Sequence, residues 1–333
     1  MSAVVTPRAS TTRARRGASR ERRQEIMWGY GLISVWLIGF LLFGVVPLTS
    51  AVFISLTNWD PVAGPFWQAH VVGLGNYNQM LFHDSRFWHS IGNSIAYALG
   101  SVALTNIVAL PLALLLNQKI RGLPFFRTVF YLPSILPVVA ATLVLRLIFQ
   151  PGTGALSWLL TALHIQCDPS TVTCTGIFSW FDDPHLLMPA AILMTAWFVG
   201  QPMLIYLAGL QGIDQSYYEA AAIDGSGGWH TFRNIILPLL SPTIFFNLII
   251  GLIGGFQEFA KIIVLAGGES LNSGGPADSI LTTLLYVWLD AFRYHFFGYA
   301  TAMAIGLFVL ILIFTLANFA GQRRWVFYQE ERR

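Results

Sequence analysis

The chain is poor in charge. Only 11% of its 333 residues are Asp, Glu, Lys or Arg, where soluble globular domains carry roughly a quarter. Hydrophobic residues make up 55% and fall in long runs, so the shortage of charge points to lipid as the solvent. Lysine is almost missing. Lys119 is followed by Ile120 and Lys261 by Ile262, and neither follows glycine. That excludes a Gly-Lys-Ser/Thr phosphate loop, whose lysine must reach a nucleotide's phosphates from the end of a glycine-rich turn. There is no Gly-x-Ser-x-Gly elbow, no His-Glu-x-x-His helix and no metal-ligand cluster, which removes the usual hydrolase arrangements. The net charge is +3, and its basic residues are scattered in short clusters. They make no phosphate-tracking groove, so nucleic acid is not an expected partner.

What is present is a series of apolar stretches. Six are long enough to span a bilayer, at roughly 28–56, 94–116, 129–149, 186–210, 244–264 and 296–319. The pattern predicts an all-α polytopic membrane protein of six transmembrane helices. The first run is too long for the core of a secretory signal, so it reads as an uncleaved span. Residues 1–25 read as a disordered basic cytoplasmic tail, 26–322 as the transmembrane domain and 323–333 as a C-terminal tail. Orientation follows from the basic residues. With the N-terminus inside, the inner segments hold the tail arginines, Lys119, Arg121, Arg127, Arg233, Arg323, Arg324, Arg332 and Arg333. The outer loops hold only Arg86 and Arg293. This asymmetry predicts both termini in the cytoplasm.

That orientation puts residues 211–243 on the inner face, between the fourth and fifth spans. Ser216-Tyr217-Tyr218-Glu219 has the form of a capping box, and Ala220, Ala221 and Ala222 favour a short helix after it. Asp224-Gly225 predicts a terminating turn. Trp229, Phe232 and Ile236 are spaced to share a helical face, and Pro238 and Pro242 mark the return to the membrane. Two readings stand: an amphipathic loop lying on the bilayer, or a rigid lever that lodges in a partner's groove.

The order Glu219, Ala220, Ala221, Asp224, Gly225, then Phe232, Ile235, Leu237, Pro238 and Pro242 resembles the "EAA" signature of permease subunits in bacterial ABC importers. Ser226 departs from the alanine commonest in that family. Phe256-Gln257-Glu258-Phe259 and Gly298-Tyr299-Ala300-Thr301-Ala302 are similar to the carbohydrate-importing branch, the permeases of disaccharide, oligosaccharide and glycerol-phosphate systems. The resemblance covers nearly the whole chain after residue 25. It implies that the 211–243 segment is a coupling helix docking into an ATP-binding subunit. It implies a bacterial cell-membrane assembly with a second permease, an ATP-binding dimer and an extracytoplasmic substrate-binding protein. This chain would bind no cofactor itself, ATP and magnesium residing in the partner. An ion-gradient-driven secondary transporter is the alternative, and the coupling loop, which such a transporter does not need, separates the two. A membrane-embedded enzyme would need a paired catalytic constellation that the sequence lacks.

Polar residues inside apolar runs are costly and often functional. Glu258 and Lys261 lie at i, i+3 on the expected fifth span and read either as a self-neutralising pair or as part of a polar passage with Asn247 and Gln257; both can hold. Gln201, Tyr206, Phe256, Trp197 and Phe198 are further candidates, the aromatics for stacking on sugar rings. Arg146, near a span end, reads as snorkelling to the interface. Cys167 and Cys174 fall in an outer loop, where a small-loop disulfide or two free thiols are both open. His164 and His185 match no standard zinc spacing.

Overall fold

A computed structural model describes residues 12–118, 121–150, 154–155, 158–159, 180–267 and 274–327. Among them the fold is helical, apart from one isolated antiparallel bridge between Thr57 and Val71. Cys167, Cys174 and Lys119 lie outside the described residues, as do residues 1–11 of the expected N-terminal tail and 328–333 of the C-terminal one.

The chain divides into two units, residues 1–54 and 55–333. In the first, α1 (Thr12–Phe40) passes through a π turn (Leu41–Val45) into α2 (Val46–Ser55). The helix thus reaches back to Thr12, into the segment that the sequence reads as tail. No proline interrupts it before Pro47, so the helix can extend from the apolar run through the charged one. The π turn has a cause. Pro47 has no N–H and its ring would crowd a carbonyl one turn back; widening that turn by one residue absorbs the misfit.

The second unit is built on α4 (Ser85–Leu116), which follows the short α3 (Gly75–Phe82). Asp84 caps α4 by accepting from Phe87 N at 3.0 Å. Then come α5 (Leu123–Tyr131), α6 (Val138–Ile148), α7 (Leu187–Thr195), α8 (Gly200–Gln211), α9 (Gln215–Ile223) and α10 (Gly228–Thr231). The chain ends with α11 (Leu237–Phe256), α12 (Ala260–Ala266), α13 (Thr283–Trp288) and α14 (Phe297–Gln322). Helix α4 packs against α7, α8 and α11. One backbone-to-backbone crossing is at Gly255, where a Cβ would lie 2.9 Å from Ala98 Cα. Small residues at such crossings let apolar helices pack backbone to backbone where lipid supplies no hydrophobic drive.

Among the described residues, four helices are long and apolar enough to cross a membrane, at Arg22–Ser55, Ser85–Leu116, Gly228–Phe256 and Phe297–Gln322. Two bent pairs bring the total to as many as six. Leu123–Ile135 and Val138–Ile148 meet at 101°, and Leu187–Phe198 and Gly200–Gln211 at 50°. The expected third span is therefore broken. Pro137 forces Leu136 into an extended conformation (φ −67°, ψ 145°), which ends the helix before it. The bend in the fourth sits at Val199, between the two helices, and Pro202 in the turn after it cannot donate to Phe198 O. Ser134 Oγ approaches that carbonyl at 3.4 Å and partly replaces the missing donor. The expected fifth span is also not continuous to 264. It starts earlier, running unbroken from Gly228 through a second π turn (Phe232–Ile236) that again precedes a proline, Pro238. It stops at Phe256, leaves helix over Gln257–Phe259 and resumes as α12.

At the end of the bundle where α4 begins, the 274–282 segment is strapped to α4. Arg86 binds Asp278 in a two-pronged pair, Nε to Oδ2 at 2.7 Å and Nη2 to Oδ1 at 3.0 Å. Asn93 donates to the carbonyls of Asp278 and Leu281, and Ser94 Oγ accepts from Thr283 N at 2.8 Å. These bonds hold Ala277 and Asp278 at φ 51° and 56°, a left-handed conformation that non-glycine residues seldom adopt. Burial pushes the Asp278 carboxyl up, but the Arg86 hydrogen bonds and that of Gly274 N outweigh it and leave it below the usual range.

Candidate functional site

Two places in the fold concentrate the residues singled out in the sequence. The first is the α8–α11 connection. Helix α9 starts one residue after Asp214, not at Ser216. Asp214 Oδ1 accepts from Ser216 N at 2.8 Å, and no capping box forms between Ser216 and Glu219. A carboxylate is a stronger N-cap acceptor than a hydroxyl and lies two residues nearer the chain turn. That backbone hydrogen bond lowers the Asp214 carboxyl below its ordinary range.

The other end of α9 follows the expectation closely. Gly225 has φ +69°, Ser226 N donates to Ala221 O at 2.9 Å and Gly225 N to Ala222 O at 3.2 Å. This is a Schellman closure, in which a left-handed residue lets two amides fold back on the last carbonyls. Ser226, where the family favours alanine, sits 3.4 Å from His230 Nδ1. Ala221 is buried, while Glu219, Ala220, Asp224 and Gly225 are exposed. At the tip, Ile223 is 86% exposed and Trp229 72%. Trp229 and Phe232 lie against each other, ring centroids 5.5 Å apart and ring planes tilted by 33°. Phe232, Leu237 and Pro238 are half-buried and lie on the single helix that rises through the π turn into α11. The segment is therefore a capped strut with an apolar tip, joined by the short turn 224–227 to a long helix that starts at Gly228.

The second place is a cavity of about 240 Å³ between α4, α8 and α11. Of the sequence candidates, Gln201, Asn247, Phe198, Glu258 and Lys261 line it. The break after Phe256 explains the pairing of the last two. Glu258 stands in the break, its Oε1 accepting from Lys261 N at 3.2 Å and its Oε2 2.8 Å from Lys261 Nζ. The ammonium also lies 5.3 Å from the centre of the Phe198 ring. So the two charges meet through a helix restart rather than along one continuous helical face.

Four candidates stand elsewhere. Phe256 is 1% exposed and packs on Phe314, ring centroids 5.1 Å apart. Gln257 is exposed away from the cavity lining. Tyr206 is buried, with its hydroxyl on Asn106 Oδ1. Trp197 lines a separate, apolar cavity of about 350 Å³ with Trp180 and Phe181. Arg146 does not snorkel. Its Nη1 donates to Val264 O at 2.9 Å and Gly267 O at 3.0 Å, capping the carbonyl end of α12.

The cavity wall also holds Tyr97, Ser101, Thr105, Asn106 and Thr195, which the sequence reading missed. A signal for them exists. Tyr97, Ser101 and Thr105 recur at four-residue steps along an apolar helix, a polar stripe on one face of α4. The Tyr97 hydroxyl and Asn247 Nδ2 are buried without a hydrogen-bond partner. Such groups are costly to leave unpaired, and both belong to residues of the cavity wall.

Residues 106–326 match the family described as "binding-protein-dependent transport system inner membrane component", a stretch holding the strut and most of the cavity wall. A probable ABC transporter permease protein, YesP of Bacillus subtilis, is 37% identical over 314 residues, 94% of this chain and 96% of the relative. The multiple sugar-binding transport system permease protein MsmF of Streptococcus mutans is 32% identical, covering 85% of this chain and 91% of its own. The trehalose/maltose transport system permease protein MalF of Thermococcus litoralis is 32% identical over 90% and 94%. Among solved structures, a chain of a bacterial ABC transporter involved in the import of the acidic polysaccharide alginate shares the fold, with a TM-score of 0.75 at 21% identity. It covers 93% of this chain and 99% of the other.

Proposed function

This chain belongs to the binding-protein-dependent transport system inner membrane component family, and from that premise we propose that it is a membrane-spanning subunit of an ATP-driven sugar importer. Six spans, with both termini in the cytoplasm, place the α9 strut on the inner face. There its apolar tip docks into an ATP-binding subunit, because the chain has no phosphate loop of its own. A second permease, a pair of ATP-binding subunits and an extracytoplasmic binding protein complete the assembly. Closure of the ATP-binding pair moves the strut. The unbroken helix from Gly228 to Phe256 carries that motion to the cavity wall, where Asn247 and the Glu258–Lys261 pair lie. Access to the cavity then alternates between the two faces.

The observation that carries this reading is the geometry of the strut: a Schellman-capped helix with Ile223 and Trp229 bare at its tip, set one short turn, 224–227, before the helix that lines the cavity. A loop resting on lipid would need no helix closed in this way at both ends. The sugar assignment is supported by the relatives' names and by the cavity's mixture of hydroxyl, amide and charged groups.

The test uses the assembled importer. Ile223→Asp should abolish co-purification of the ATP-binding subunit while the permease still reaches the membrane. In cells, sugar uptake should survive a protonophore while cellular ATP is held constant, and stop when ATP is depleted. Retained co-purification of the variant overturns the docking role. Uptake that collapses with the ion gradient at constant ATP points to secondary transport.

A further inference from the structure

We propose that Glu258 sets the charge selectivity of the cavity: by neutralising Lys261 inside it, Glu258 makes the cavity accept an uncharged saccharide and turn away its uronate counterpart. The inference rests on the sugar reading above and specifies the class of sugar.

Glu258 and Lys261 are the two charged residues among the described residues lining the cavity, and they lie against each other at 2.8 Å. Their side chains are 18% and 12% exposed, so solvent screens neither one well. The cavity therefore carries a strong local dipole and no net charge. Its free hydrogen-bonding capacity is mixed. The ammonium has three donors and the carboxylate about four acceptor sites, and only part of each is used by the pair. The Tyr97 hydroxyl and the Asn247 amide are buried and unpaired.

A sugar hydroxyl both donates and accepts, so it can satisfy either end of this dipole. A uronate carboxylate only accepts. It would compete with Glu258 for the same ammonium and face that carboxylate across a space of about 240 Å³, where weak screening makes like charges repel strongly. The small volume, below the roughly 300–1,000 Å³ of drug-sized sites, keeps any ligand group near the pair. Without Glu258, Lys261 would be an uncompensated cation and a point-charge site for a carboxylate.

The experiment measures binding to the purified permease complex in nanodiscs by saturation-transfer NMR. The probes are neutral disaccharides, each paired with the disaccharide whose terminal sugar is oxidised to the uronate. The wild type is expected to favour the neutral members about tenfold, and Glu258→Gln to erase or invert that ratio, a shift of the size that one uncompensated charge gives. If thermal melting shows that Glu258→Gln does not fold, the double variant Glu258→Gln/Lys261→Met takes its place. It leaves the cavity uncharged and should keep the neutral preference, since a uronate gains no counter-ion. Binding without charge preference in the wild type, an unchanged ratio in Glu258→Gln, or a lost preference in the double variant overturns the inference and leaves the sugar reading intact. If no saccharide binds the wild type, the sugar reading falls and this inference with it.

Discussion

Ser241 Oγ accepts the backbone amide of Phe327 at 2.8 Å while donating to the carbonyl of Pro238 at 2.6 Å. Pro242 has no N–H, so the Pro238 carbonyl lacks its helical donor; Ser241 supplies one and at the same time ties the segment after α14 to the start of α11. Trp325 adds a ring contact to Phe245, centroids 6.0 Å apart. Ser241→Ala leaves the half-buried Pro238 carbonyl unpaired and releases Phe327. The expected cost is about 1–2 kcal/mol, read from thermal melting, with faster chymotryptic cleavage after Trp325 and Phe327. Equal cleavage rates would show that the tie holds nothing.

Gly225 is needed for its backbone and not for space. No atom lies within 4 Å of the position a Cβ would take, yet φ is +69°. A β-branched residue there opposes the left-handed turn, at a cost of roughly 1–2 kcal/mol for any side chain, whereas asparagine tolerates it better. Gly225→Val should lose uptake with membrane yield preserved, and Gly225→Asn should keep most of it. Equal uptake in the two variants would show that the turn is not what matters.

Arg146 holds the α12 terminus through Val264 O and Gly267 O. Lys can reach one of these carbonyls but lacks the planar fork, so Arg146→Lys should be less damaging than Arg146→Met. The expected loss for Met is about 2 kcal/mol or more, because two inward carbonyls lose a charged donor. Since α12 carries Lys261, sugar affinity should weaken along with stability. A variant that loses stability with affinity unchanged would limit Arg146 to a structural part.

Asp290, in the π turn that follows α13, is 6% exposed. Burial, and then the nearby charge of Asp84, push its carboxyl from 3.8 up to about 7; Arg86 acts against the rise. The folded state thus keeps a proton that the unfolded chain releases near 3.8. Between about pH 4 and 7 the native state binds more protons, so this group's contribution to stability falls as pH rises. Asp290→Asn should melt like the wild type near pH 4 and several degrees higher at pH 8. An identical pH dependence in the two proteins would mean that Asp290 does not carry this proton.

The spans could be read from the sequence where one property decided them. α4 and α14 are long apolar runs without interior charge. The α9 strut could be read because alanine propensity, an Asp-Gly turn and the flanking prolines act within a few residues. Its cap was misplaced for an equally local reason: Asp214 competes with Ser216 and wins on charge. The third and fifth spans were harder. Proline breaks helices, and Pro137 did, yet Pro238 is absorbed by a π turn, and the break at Gln257–Phe259 contains no proline at all. Nothing local distinguishes those outcomes, since neighbouring helices decide whether freed backbone groups find partners.

The sequence alone determined that this chain needs lipid, that it cannot bind a nucleotide through a phosphate loop, and that a short helix with a glycine-closed end lies between two apolar runs. These follow from composition and from interactions a few residues apart. Only the tertiary structure decided which polar residues meet. Tyr97 reaches the same cavity as Asn247 across α4 and α11, Arg146 reaches α12 more than a hundred residues on, and Glu258 meets Lys261 through a helix restart. Those encounters depend on close helix crossings such as Gly255 on Ala98, and packing at that range leaves no mark in local pattern.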